Sequence, residues 1–243
     1  TPVEEFEASH DVEDIARGPH DGTSTLWLAD IGDNLHQRGE IAVYAVTEPN
    51  SSSSAGRIGT GCPTPAEEVV PATTYRLRYA DVAHDAETLL ADPHTGQLFI
   101  VTKEPTGESQ LYAAPPQLDA DAVNTLTPVA EIAYPPSTTY DRSADQIVAA
   151  GPEQAGFDST GRLWAVGGDI SPTGDRVVIR TYTDAYEWMI PAGGLAGAFT
   201  AMPTKIPLKY QRQGEAVAYT RDGRSLVTTC EDKGCTAHRY AGS

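Results

Sequence analysis

Ala86-Glu87-Thr88-Leu89-Leu90-Ala91, then Asp92-Pro93-His94-Thr95-Gly96-Gln97, then Leu98-Phe99-Ile100-Val101-Thr102 is the stretch that decides the fold. Two apolar runs flank a turn in which Asp and Pro start the reversal and Gly takes the positive-φ position. The same phrase returns along the chain. Pro19-His20-Asp21-Gly22 leads into Leu26-Trp27-Leu28-Ala29, and Ser171-Pro172-Thr173-Gly174 leads into Val177-Val178-Ile179-Arg180. Arg221-Asp222-Gly223 leads into Leu226-Val227-Thr228-Thr229, and Asp158-Ser159-Thr160-Gly161 into an expected strand Leu163-Trp164-Ala165-Val166. Further strands are expected at 41–46, 75–79, 110–113 and 129–134, while helical periodicity is nearly absent.

A repeated antiparallel meander has two apolar faces that only neighbouring meanders can cover, and radial stacking into a β-propeller satisfies that need. A sandwich is the competing all-β solution, but it gives no reason for one strand-turn-strand phrase to recur. The expectation is an all-β chain, 1–243, forming one β-propeller of about five blades (four to six). First strands begin near Asp11, Asp85, Asp169 and Glu215, and residues 3–8 offer an outer strand for one more blade. Residues 50–71 and 137–160 read as long loops, with 137–166 open to a further hairpin, and the small, Gly-rich 192–198 reads as a loop.

The chain has 243 residues, 40% of them apolar and 21% charged, enough for a core and too little charge for wholesale disorder. Lys+Arg 17 against Asp+Glu 34 leaves a net charge of −17, which repels phosphate backbones and argues against nucleic-acid binding. No apolar run is long enough for a membrane-spanning helix, and a monomer is expected. Cys230 and Cys235 flank Glu-Asp-Lys-Gly, a segment able to reverse the chain and close a hairpin disulfide; a thiol metal site is the weaker alternative. Cys62 is left either buried or paired with a segment outside this chain. Thr1 begins without an initiator Met and without a charged-then-apolar leader, so the numbering is expected to start at a mature or an artificially chosen terminus. With an acidic charge, turn-rich loops and a disulfide, the chain reads as secreted.

The candidate chemistry is acidic. Glu13 and Asp14, Asp85 and Glu87, Asp169, and Glu215 stand at the starts of first strands, which a propeller gathers around one mouth of its channel. Like charges so placed need a cation, a basic side chain or protonation to offset them. Oxygen donors favour Ca²⁺, with Mg²⁺ second, and the expected ligands are Glu13, Asp14, Asp30, Asp33, Asp169 and Glu215. The alternative is a structural network in which these acids cap strands, bind backbone amides or pair with Lys103 and Arg180. Asp30-Ile31-Gly32-Asp33-Asn34 looks like half a calcium loop, and a turn held by Asp and Asn side chains explains it equally well.

His84, beside Asp85 and Glu87, makes that trio the acid–base candidates, against a plain surface histidine. Lys103 and Arg180 are the basic residues expected to face the channel and hold an anionic substrate group. No Gly-x-Ser-x-Gly elbow is present, and Gly167-Gly168 opens no helix for a phosphate. Tyr182, Tyr186 and Trp188 alternate as strand packing residues do.

Leu26-Trp-Leu-Ala-Asp-Ile-Gly-Asp-Asn34, His84-Asp-Ala-Glu-Thr-Leu-Leu90, Gln213-Gly-Glu-Ala-Val-Ala-Tyr219 and Val178-Ile-Arg-Thr-Tyr-Thr-Asp-Ala-Tyr186 resemble a group of secreted actinobacterial β-propeller proteins, loosely NHL/SMP-30-like or phytase-esterase-like. The resemblance spans about 11–240 and implies a propeller while saying almost nothing about activity. It also implies a further N-terminal blade before Asp11-Val12-Glu13-Asp14, expected here to be incomplete or missing. The function expected is a ligand- or partner-binding scaffold with a divalent cation at the channel mouth, taking a small molecule, carbohydrate or peptide on its loop face. The alternative is a Ca²⁺-dependent hydrolase of lactone, ester or phosphoester substrates.

Overall fold

Among the described residues, fifteen strands build four consecutive antiparallel meanders. The computed structural model describes residues 11–48, 71–135 and 163–241, apart from 105, 210, 212 and 232. Residues 3–8, Cys62, and the loops expected at 50–71 (save Pro71) and 137–160 lie outside these. The first blade comprises β1 (Val12–His20), β2 (Thr23–Asp30), β3 (Ile41–Thr47) and β4 (Ala72–Tyr79). The second comprises β5 (Ala86–Ala91), β6 (Leu98–Thr102), β7 (Glu108–Ala113) and β8 (Val123–Ala133). The third is β9 (Gly167–Ile170), β10 (Arg176–Arg180), β11 (Asp184–Met189) and β12 (Thr204–Pro207), and the fourth is β13 (Val217–Tyr219), β14 (Ser225–Thr228) and β15 (His238–Ala241).

The hairpins carry the expected turn chemistry. Asp21 and Gly22 both sit at positive φ (47° and 77°) between β1 and β2, and Gly96, Gly174 and Gly223 take the equivalent place in the other three blades. Gly96 is held by sterics as well as by φ, since a Cβ there would stand 2.0 Å from the Pro19 carbonyl oxygen of the neighbouring hairpin. Two segments differ from expectation. Leu163 to Val166 forms no strand, and Leu195–Ala198 makes a four-residue helix, α1, inside the Gly-rich segment.

The radial order follows from which strands pack. β1 lies against β5, β5 against β9, and β9 against β13, so the first strand of every blade is innermost. That arrangement defines a β-propeller. Alternation along each strand feeds two separate cores. Leu89 and Ile100 enter the core shared with the first blade, while Leu90, Phe99 and Val101 enter the core shared with the third. In β10, Val177 and Ile179 face the second blade and Val178 faces the fourth. At the rim, β8 serves both neighbours: Val123 to Leu126 pair in parallel with Arg76 to Tyr79 of β4, and the rest pairs antiparallel with β7.

Candidate functional site

Two β-bulges at matching places aim the central carboxylates. In β1, pairing with β2 skips from Val12 to Asp14, leaving Glu13 as the extra residue; in β5, pairing with β6 skips from Ala86 to Thr88, leaving Glu87. A bulge re-aims its extra side chain away from the regular alternation. Both glutamates thereby reach the axial end where the inner strands begin, and Glu215, just before β13, joins them.

Each of the three carboxyls is shifted by burial and by the charges of its neighbours. Burial, followed by the charges of Glu87 and Asp11 and a hydrogen bond with Asp11, pushes the Glu13 carboxyl up to about 9. Burial, then the charges of Glu87 and Glu231 and a hydrogen bond with Glu231, raises Glu215 to about 8. Burial also lifts Glu87, to about 7, against the opposing pull of Lys103. The Lys103 ammonium donates to Glu87 Oε1 and lies 4.0 Å from Asp85 Oδ2. Burial works to lower its pKa, but Glu87, Asp85 and Glu13 outweigh that and hold it above the usual lysine range.

This one ammonium acts on all three raised glutamates. Its other face meets Trp164, 5.2 Å from the ring centroid, a cation–π contact. Tyr182 packs 6.4 Å from Trp164 and its hydroxyl donates to Glu215 Oε1 at 3.4 Å. Glu87 Oε2, in a side chain only 7% exposed, has no hydrogen-bond partner among the described residues. An orphaned carboxylate oxygen in a crowd of acids is an unsatisfied acceptor waiting for a donor or a cation.

The remaining acids go elsewhere. Asp14 turns into the seam between the first two blades and accepts Leu89 N–H at 2.8 Å; Asp169 does the same between the third and fourth, accepting Tyr219 N–H at 2.8 Å. Burial raises both, Asp169 to about 7. Asp30 is enclosed, ion-paired with Arg38 at 2.8 Å and accepting Tyr44 Oη and Asp11 N–H. Asp33 accepts Gln37 and Arg38 N–H, and its own N–H donates to Asp85 Oδ1 at 2.8 Å. The Asp30 to Asn34 segment is thus a turn held by carboxylates. Among the described residues, no three His, Cys, Asp or Glu side chains form a group suited to holding a metal ion.

His84 is neither in the carboxylate cluster nor a plain surface histidine. Its side chain is 13% exposed, with Nδ1 3.1 Å from Glu104, and Nε2 2.8 Å from Tyr112 Oη and 3.3 Å from Asp81. Arg180 is fully buried, and its guanidinium donates to the Ala216 and Thr229 carbonyls (2.8 Å each) and to Gln211. The side chain expected to meet substrate therefore clamps the fourth blade to the third. Cys230 and Cys235 form the expected disulfide, in the loop that carries Glu231. Reading the sequence alone missed Tyr182, Trp164, Asp11 and Glu231. Tyr182 precedes β11 rather than alternating within it, and its nearness to Glu215 depends on the fourth blade folding back.

No helix among the described residues is long and apolar enough to cross a membrane. No protein-family model matches the chain, and no curated protein matches it. Solved structures match it at low identity and low structural similarity. One is a Bacteroides uniformis protein provisionally named as a 6-phosphogluconolactonase (12% identity, TM-score 0.49, covering 98% of this chain and 53% of that one). Chaetomium thermophilum Sqt1 matches at 13% identity and TM-score 0.40, covering 96% of this chain and 46% of that one. Sqt1 bound to the N-terminus of ribosomal protein L10 matches at 13% identity and TM-score 0.41, covering 95% and 48%. The chain spans about half the length of these structures. The propeller assignment accordingly rests on the chain's own strand order and inner-strand packing, and nothing here ties it to an actinobacterial or NHL-like family.

Proposed function

We propose that the protein is a ligand-binding propeller whose channel mouth receives a positively charged group. The observation that carries this reading is Glu87 Oε2, buried without a hydrogen-bond partner among the described residues, with the Lys103 ammonium as the counter-charge that Glu87 shares with Glu13 and Glu215. Burial and mutual repulsion favour the protonated form of these acids, and an arriving cation would replace protons. A protonated amine, of a peptide or a small molecule, brings that charge beside the Trp164 and Tyr182 rings, and Ca²⁺, or Mg²⁺ second, is the alternative that oxygen donors favour but that would need ligands beyond the described acids. The Cys230–Cys235 disulfide supports placement in an oxidising, extracellular setting.

Calorimetric titration with CaCl₂, and separately with butylamine, distinguishes the sources. Binding of either that strengthens from pH 6 to 9 and weakens at least about tenfold in Glu13→Gln supports the reading. Equal weak binding by the unaltered protein and Glu13→Gln at every pH overturns it. A second reading, a hydrolase of lactones or esters, draws on one observation: Glu87 is poised near neutrality beside Lys103, where a general acid–base works best. A bound cation would polarise the carbonyl. Calcium-dependent turnover of a lactone panel, abolished in Glu87→Gln, would establish it, and absence of turnover removes it.

A further inference from the structure

A groove of about 580 Å³ opens between the first two blades, at the hairpin ends of their inner strands, away from the carboxylate cluster. We infer that this groove is a second binding site, one that takes a neutral, hydroxyl-rich ring such as a hexose unit of a glycan.

Its floor is aromatic. His20 packs edge-on to Trp27 (centroids 4.8 Å apart) and to Tyr75 (5.4 Å), and His20 Nε2 shares a 2.7 Å hydrogen bond with Tyr75 Oη. Trp27 is fully buried, and its indole N–H has no acceptor among the described residues. Pro115, Pro116, Gln117 and Leu118 also line the groove, as does Thr95. Its volume falls in the range that holds small organic ligands.

The chemistry of the lining selects the ligand. Among the described residues no Lys, Arg or Glu lines the groove, so an anion finds no lysine or arginine there, in a chain of net charge −17. Asp21, the one acid among the described lining residues, has a side chain 90% exposed, and its ion pair with a cation would be screened by water. What remains is a set of hydroxyl, amide and imidazole groups beside prolines, with the buried Trp27 and Tyr75 rings beneath them. Sugars match this pattern: hydroxyls around the edge, C–H groups on the face. The site also has a rigid frame. The Gly96 and Pro19 hairpins are in backbone contact, and His94 Nε2 is 3.0 Å from the Thr173 carbonyl oxygen of the third blade.

Saturation-transfer NMR on the full chain, with a panel of glucose, galactose, mannose, N-acetylglucosamine and their β1,4-linked dimers, tests this. At least one sugar is expected to receive saturation with a Kd at or below about 10 mM. Tyr75→Phe, which keeps the ring and removes the hydroxyl, and Gln117→Ala are each expected to weaken that binding at least about fivefold while leaving Tm within a few degrees. No transfer to any sugar overturns the proposal, as does binding that both variants leave unchanged. Binding of a polyproline peptide without any sugar also overturns it, and reassigns the groove to peptide recognition. None of these outcomes depends on the channel mouth.

Discussion

The first and second blades share one plan and differ in burial. All six residues of β5 are buried, whereas β1 alternates, with Ile15 58% and Val12 44% exposed. β5 is covered on both faces because β1 and β9 flank it; among the described residues, β1 has β5 on one side. A propeller strand is therefore stabilised less by its own sheet than by what stacks on each face. Much of the apolar burial here lies between blades, in the cores centred on Leu89 and Ile100, on Leu90 and Val101, and on Val178 and Leu226.

Substitutions can break this contrast. Leu89→Ala, in the doubly covered strand, is expected to cost about 3 kcal/mol by urea unfolding, through lost burial and a cavity. Ile15→Ala is expected to cost no more than about 0.5 kcal/mol. A cost for Ile15→Ala approaching that of Leu89→Ala would mean that the outer face of the first blade is covered in solution. Arg180→Met is expected to cost about 2 kcal/mol by stranding the Ala216 and Thr229 carbonyls, with amide exchange rising first in the fourth blade. Uniform exchange across all blades would refute its role as a clamp. Reducing the Cys230–Cys235 disulfide should have a smaller effect still, about 2 kcal/mol at most for so short a loop, focused on Glu231 and the carboxylate cluster.

The contrast also shows what one dimension of sequence can reveal. Turn phrases such as Asp21-Gly22 and Pro172-Thr173-Gly174 report on local backbone geometry, so hairpins, blade order and the disulfide were legible. Side-chain direction at the channel was not. Glu13 and Asp14 are neighbours on one strand; a bulge sends the first to the axis and the second into a seam, and nothing in their alternation marks the skipped register. Arg180 was misplaced for a related reason. It lies one strand further out than the inner-strand acids, and its partners are carbonyls of a blade formed some 36 to 49 residues later. Trp164 was expected in a strand, and its place against Lys103 emerges only from the assembled ring.

The carboxylate cluster sets the pH behaviour. Glu13, Glu87 and Glu215 are raised from 4.5 to about 9, 7 and 8 in the folded chain. Their native forms favour the proton, so their contribution to stability is full below pH 4.5 and is lost as pH rises through 7 to 9. The most direct measurement is the melting temperature from pH 5 to 9.5, with and without a saturating cation. Without it, Tm is expected to fall by several degrees across neutral to alkaline pH, more gently in Glu13→Gln; with CaCl₂ or an amine, most of that fall should be recovered. A Tm that is flat from pH 6 to 9.5 and indifferent to either cation would contradict the gathering of these acids around Lys103.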